Sequence, residues 1–361
     1  MLRAGLIGFP STGKTTLFQL MTSAPDHPRS GHGRTDVVVG VSRVPDPRLD
    51  RLTALFSRRK RVPAVIEFAD QAGAVHTNAK TLLDVAPFRH ADALLHVVRA
   101  FRDRTVTHPA GSVHPTRDVR AMEDELILAD LGMVERRLER LERDLKKAPS
   151  SELKREQAVL LRCQATLEDG RPIRGLDLPA DEAKLLRGFQ FLSAKPLLLV
   201  INIDEADLSR MDRAVDEAGL GGHVAGSTTC AVAVCARIEL EIAQLDAVDA
   251  AGFLADLGLR ESGLDRVIRA SYDLLGYISF FTVNDEECRA WSIPRGTAAQ
   301  AAAGEVHSDM ARGFIRAEVV TCDALSARGS MAACKEHAEL RLEGKDYVVQ
   351  DGDVINFRFA T

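Results

Sequence analysis

Eight consecutive residues constrain this chain more than any other stretch. Gly8-Phe9-Pro10-Ser11-Thr12-Gly13-Lys14-Thr15 follows the apolar run Leu2 to Ile7 and leads into Thr16-Leu17-Phe18-Gln19-Leu20. That order reads as strand, phosphate-binding loop and helix, which commits the region to an α/β fold. The two glycines let the backbone curl until several N–H groups converge on one phosphate, and the N-terminus of the following helix adds positive potential. Phe9, Pro10, Ser11, Thr12, Gly13, Lys14, Thr15 and Thr16 are therefore expected to line a nucleotide. Within that set Lys14 would reach the β/γ-phosphates, and Thr15 would offer its hydroxyl to Mg²⁺. The pattern GxxxxGK[ST] arises by chance in roughly one chain in a hundred of this length, and the flanking strand and helix make coincidence rarer still.

The 361 residues suffice for two or three domains, each with its own core. Lys and Arg number 47 against 52 Asp and Glu, a formal net charge of −5, so no global basic field recruits nucleic acid. Any RNA contact has to come from a local patch, for which Arg295, Arg312 and Arg316 are the available residues. Six cysteines are scattered without CxxC pairs or His/Cys metal spacing, which favours a reduced, cytoplasmic setting. The start runs directly into the first apolar run, and no apolar stretch approaches the length of a membrane span, so no membrane partner is expected.

Three further apolar runs, Ala64 to Ala69, Ala93 to Val98 and Leu197 to Ile203, resemble parallel strands buried on both faces. In such sheets the chemistry sits at the carboxyl ends. Between the last two runs the texture changes. Ile127, Leu131, Val134, Leu138, Leu141 and Leu145 recur at alternating four- and three-residue spacing, with Arg and Glu between them. This heptad seam halts near Ala148-Pro149-Ser150, and a second helical stretch carries Leu153, Leu160, Cys163 and Leu167. An antiparallel helical hairpin fits best. From about Tyr277 the pattern becomes that of a small, mostly β domain, closing on Asp346 to Phe359, which reads as two strands around an Asp-Gly turn.

Two more motifs belong to a nucleotide site. Asp70-Gln71-Ala72-Gly73 stands at a strand end in DxxG form, placing Asp70 near Mg²⁺ and the Gly73 N–H toward a γ-phosphate. In the segment Asp26 to Asp36, Thr35 is the candidate for a γ-phosphate or Mg²⁺ contact. After the run Leu197 to Ile201, a guanine-reading site would show Asn-Lys-x-Asp. The chain has Asn202-Ile203-Asp204-Glu205 instead. The longer carboxylate and the missing lysine disfavour guanine, leaving Asn202 and Glu205 as base-site residues with ATP preferred over GTP.

Taken together, the chain resembles the Obg-related P-loop NTPases of the YchF type from end to end. The residues that carry the likeness are Gly8 to Leu17-Phe18, Val44-Pro45-Asp46-Pro47-Arg48-Leu49-Asp50, Asp70 to Gly73, Asn202 to Glu205 and Cys235-Ala236-Arg237-Ile238-Glu239. In the last third they are Ser279 to Val283, Arg289-Ala290-Trp291, Gly313 to Glu318 and Arg341 to Asp353. The resemblance implies a G domain over 1–120 and 191–276, an inserted helical coiled-coil hairpin over 121–190, and a C-terminal TGS domain of ubiquitin-like β-grasp form over 277–361. It also implies slow ATP hydrolysis, association with the ribosome or RNA through the TGS domain and hairpin, and a monomer. It adds Cys235 and Ala236 to the base site. The family's histidine, in the loop after Val-Arg-x-Phe, corresponds to His108, following Val98-Arg99-Ala100-Phe101. The place of a water-orienting glutamine after DxxG is taken by Ala74, so orientation of water would fall to His108. Against this pattern, the stretch after DxxG lacks the family's glycine cluster and the first switch diverges, which bears on hydrolysis more than on binding. The alternative reading is a nucleotide-dependent RNA- or protein-binding module without significant hydrolysis. A small-molecule kinase is a third, disfavoured by the base-reading motif and the β-grasp-like tail.

Overall fold

The computed structural model describes residues 2–22, 37–56, 59–71, 85–224 and 228–360. Among them twelve strands run in chain order: β1 (Arg3–Ile7), β2 (Val37–Arg43), β3 (Lys60–Val62), β4 (Val65–Gln71), β5 (Ala93–Arg99) and β6 (Leu197–Asn202), then β7 (Thr229–Val234), β8 (Tyr277–Val283), β9 (Glu287–Pro294), β10 (Phe314–Thr321), β11 (Arg341–Glu343) and β12 (Asp353–Phe359). They make two six-stranded sheets. The chain divides into two units, Met1–Val41 with Glu67–Leu274, and Ser42–Ile66 with Leu275–Thr361.

The first sheet has the order β2-β4-β1-β5-β6-β7, and from β4 onward each neighbouring pair is parallel. Every residue of β5 and β6 is buried, as strands covered on both faces require. Because the strands flanking β1 are reached in opposite directions along the sheet, the loop leaving β1 opens at a topological switch point. That is where ligands bind in open α/β sheets.

The expected hairpin is present, formed by helices Pro115–Lys147 and Ser151–Glu168. Ile127, Val134, Leu138 and Leu141 face Val159, Leu160, Cys163 and Leu167 in one buried seam. Arg137 bridges the two helices with paired bonds of 2.7 and 2.8 Å to Glu156. The first helix begins at Pro115 rather than near 121 because Val119, Met122 and Leu126 pack in the core of the first sheet. One helix thus serves both the core and the projection. At the hairpin root Asp130, fully buried, accepts bonds from Arg89 (2.9 Å) and the Ser193 N–H (2.7 Å).

The second sheet has the order β11-β10-β12-β8-β9-β3, with β8 and β12 parallel at its centre and antiparallel partners outside them. This is a β-grasp. Ala299, Ala302 and Ala303 of the helix Ala299–Val306 are fully buried in one cluster with Phe280, Ile293, Val319 and Ile355. Small side chains there let helix and sheet approach closely. Two expectations need correcting. Residues 42–66, assigned by sequence to the G domain, fall in this unit, where β3 extends the sheet beside β9. The segment 346–352 is a loop rather than the first strand of a terminal hairpin. Its only ladder contact among the described residues is a bridge from Val348 to Ala298. Side chains shape it instead, since Asp353 accepts from the Tyr347 hydroxyl (2.7 Å) and the Gln350 N–H (2.9 Å), and Asp351 is held by Arg48 (2.8 Å).

Candidate functional site

The loop after β1 is shaped by two glycines that no other residue could replace. Gly8 and Gly13 have φ of 143° and 95°, and an added Cβ would lie 2.5 Å from the Val97 carbonyl oxygen and 2.5 Å from Asn202 Nδ2, respectively. Ser11, at φ 62°, turns the exposed tip. Thr12 points inward, 2% exposed, and donates to the Phe9 carbonyl at 3.0 Å. Phe9 is buried, Pro10 and Thr16 are half-buried, and Thr15 is exposed at the start of the helix Lys14–Thr22.

Lys14 bends back over this loop, its Nζ donating to the Gly8 and Phe9 carbonyls, both at 2.7 Å. Burial pushes its ammonium down to about 8, against the opposing pull of the Asp70 carboxylate. Asp70, the penultimate residue of β4, is fully buried and accepts from the Thr15 hydroxyl at 3.0 Å. Among the described residues no group of three or more His, Cys, Asp or Glu forms a protein-only metal cage. Two adjacent hard oxygens, with phosphates supplying the rest, suit Mg²⁺. Thr35, Gly73 and Ala74 lie outside the described residues.

Asn202, the last residue of β6 and 4% exposed, ties two loops together. Its Nδ2 donates to the Thr12 carbonyl (3.0 Å) and its Oδ1 accepts from the Ala236 N–H (3.1 Å). The amide that sequence assigned to the base thereby also fixes the phosphate loop against the Cys235-Ala236 turn. Cys235 is buried, and burial raises its thiol pKa, so it packs and does not react. Glu205 is exposed, its carboxylate 3.8 Å from Arg237.

His108 is 6% exposed rather than a solvated loop residue. Its Nδ1 accepts from the Ala110 N–H at 3.1 Å, and its Nε2 lies 3.0 Å from Asp118 Oδ2. With Nδ1 an acceptor, the neutral ring carries its proton on Nε2, facing Asp118. Nδ1 is therefore occupied within the protein, while Nε2 stands at ion-pair distance from Asp118 without a hydrogen bond.

Two buried polar residues of β5 escaped the sequence reading. His96 is 1% exposed with no hydrogen-bond partner among the described residues, and burial, with the charge of Lys14, pushes it down to about 3. Arg99 is likewise 1% exposed. The available signal was one imidazole within, and one arginine at the end of, an otherwise apolar run.

Comparison with known proteins places these features. The family model YchF-GTPase_C, described as "Protein of unknown function (DUF933)", matches residues 277–360. The "Ribosome-binding ATPase YchF" of Bacillus subtilis is 41% identical, with 99% of each chain covered. The "Obg-like ATPase 1" of Oryza sativa subsp. japonica is 34% identical over 99% of this chain and 92% of its own. The solved structure of the Schizosaccharomyces pombe YchF GTPase superposes with a TM-score of 0.82 at 26% identity, covering 99% of this chain and 97% of that one. Likeness of this extent spans both sheets and the hairpin between the halves of the first unit. This chain belongs to the YchF family of P-loop NTPases.

Proposed function

We propose that this protein is a Mg·ATP-binding, slowly hydrolysing NTPase that prefers ATP to GTP and acts at the ribosome in the cytoplasm, as a monomer. The observation that carries the reading is the clamp from Asn202 to Thr12 and Ala236, which unites phosphate loop and base site in one rigid frame. Within that frame the loop from Phe9 to Thr16 cradles the phosphates, and Lys14 exchanges two carbonyl oxygens for phosphate oxygens. Thr15 and Asp70 are the residues that would hold Mg²⁺, which when bound neutralises charge on the β- and γ-phosphates. Ile203 lacks the cation that would cover a guanine, and Glu205 is longer than the aspartate that reads one, which supports adenine. The name of the bacterial relatives, "Ribosome-binding ATPase YchF", supports ribosome binding, and the β-grasp unit with the hairpin is the proposed route to ribosome or RNA. His108 is assigned to water orientation, acting after release from Asp118.

The burial of His108 beside Asp118, with Nδ1 held by the Ala110 N–H, favours one competing reading, a nucleotide-dependent binding module without significant turnover. Equilibrium affinities for ATP, GTP and ADP, with single-turnover phosphate release with and without ribosomes, separate the two. Tighter ATP binding and ribosome-dependent release are expected. Tenfold tighter GTP binding would overturn the base assignment, and absence of release under both conditions would favour the binding module.

A further inference from the structure

Among the described residues, two arginines at least half-buried in the first unit meet carboxylates, and a third, more deeply buried, does not. Arg174 meets Glu123 at 2.5 Å, and Arg89 meets Asp130 at 2.9 Å. Arg99, the last residue of β5, has no ion-pair partner among the described residues, and its Nη1 has no hydrogen-bond partner there either. A desolvated, unpaired guanidinium is costly. What it supplies, and an apolar side chain of similar size would not, is a rigid fork of donors. Nε donates to the Phe101 carbonyl (3.3 Å), Nη2 to the Asp103 carbonyl (3.1 Å), and the guanidinium lies over the Phe101 ring at 4.5 Å. The chain leaving β5 is thus wrapped around the side chain of the residue that ends the strand.

The same turn is held from the other side. Arg99 stands opposite Asn202 in the ladder, and the Ala100 and Phe101 N–H groups both donate to the Asn202 carbonyl, at 2.9 and 3.0 Å. Beyond it, the Asp103 carboxylate accepts from the Thr105 N–H (2.8 Å) and hydroxyl (2.6 Å), which carries the ordered backbone on toward His108. The loop is built in series, starting from Arg99 and the base-site strand.

We propose that Arg99 is a positioning residue: it sets the loop Phe101–His108 against the end of β6, so that nucleotide turnover, but not nucleotide affinity, depends on it. The inference rests on the reading of His108 as the water-orienting group. The contacts of Arg99 run to the loop itself, and it acts through that loop.

Arg99→Met and Arg99→Lys test it in the full chain, alone and combined with His108→Ala. Misplacing a catalytic group by about an ångström commonly lowers turnover about 10²-fold. Arg99→Met is expected to lose about ten- to a hundredfold in kcat while its Kd for Mg·ATP stays within about threefold, and Arg99→Lys to recover little, because an ammonium cannot reproduce the planar fork. His108→Ala should add almost nothing in the Arg99→Met background. Fully additive losses, or parallel loss of ATP affinity, would overturn the assignment. Amide hydrogen exchange supplies a readout independent of catalysis: in Arg99→Met, residues 101–108 should exchange at least tenfold faster with the phosphate loop unchanged. Unchanged protection of that segment would overturn the proposal even if the wild type hydrolyses nothing, whereas faster exchange in Arg99→Met beside an inactive wild type would keep Arg99 as the loop's anchor and refute the link to turnover through His108.

Discussion

The charge on Lys14 gives a direct handle on the phosphate loop. In the free protein its ammonium is held at about 8, because it is buried on the carbonyls of Gly8 and Phe9, against which the Asp70 carboxylate favours the charge. Phosphates replacing those carbonyls favour the charged form strongly, so binding must draw a proton wherever the free lysine is neutral. About three quarters of the free lysine is charged at pH 7.5 and about one eleventh at pH 9.0. Affinity for Mg·ATP is therefore expected to fall about eightfold between those values, about 1.3 kcal/mol, with about 0.9 proton taken up per nucleotide at pH 9.0. The direction follows from the lowered value: well below 8 the lysine is charged in both states and affinity is flat, and above 8 most of the lysine must be protonated on binding. Titration calorimetry in two buffers of different ionisation enthalpy measures both quantities, and Lys14→Arg, which stays charged, should flatten the pH dependence. A flat wild-type profile, or an equal slope in Lys14→Arg, would refute the reasoning.

Three further outcomes are expected. His96→Leu should remove an acid sensitivity: the folded value near 3 lies below the unfolded one, so stability present above pH 6.5 is lost as pH falls. At pH 4.5 the wild type should have lost about 3 kcal/mol more than the variant in urea denaturation. Asn202→Ala, which frees the Thr12 carbonyl and the Ala236 N–H, should weaken Mg·ATP at least tenfold, and Gly13→Ala should abolish binding, both read by calorimetry. In the hairpin, Arg137→Ala should cost less than about 1 kcal/mol and Leu141→Ala about 2–5 kcal/mol in thermal or urea unfolding, because a half-exposed ion pair contributes little beside a filled seam.

Features legible in the sequence were those written locally. The phosphate loop, the buried strands β5 and β6 and the seam from Ile127 to Leu141 each announce themselves within one or two turns of chain. What escaped depends on distant partners. Nothing within Lys60–Val62 says that it will pair with Glu287–Arg289. The segment 346–352 looked like a strand because Tyr347, Val348 and Val349 are strand formers, but the side-chain bonds of Asp351 and Asp353 shape it otherwise. The double grip of Asn202 is equally silent in sequence, since its two partners are Thr12 and Ala236. His108 was placed by the family pattern, and its burial against Asp118 follows from where the helix Pro115–Lys147 begins.

The strand β3 has a consequence for biosynthesis. Lys60 waits for Glu287, so at about 5–20 residues per second the ribosome needs on the order of tens of seconds to deliver the partner strand. During that interval Leu49 and Leu52, fully buried in the finished protein, have no completed β-grasp to enter. The nascent chain must carry the helix Pro47–Leu55 past the exit tunnel with its apolar side uncovered. Removal of everything after residue 276 would make that transient state permanent.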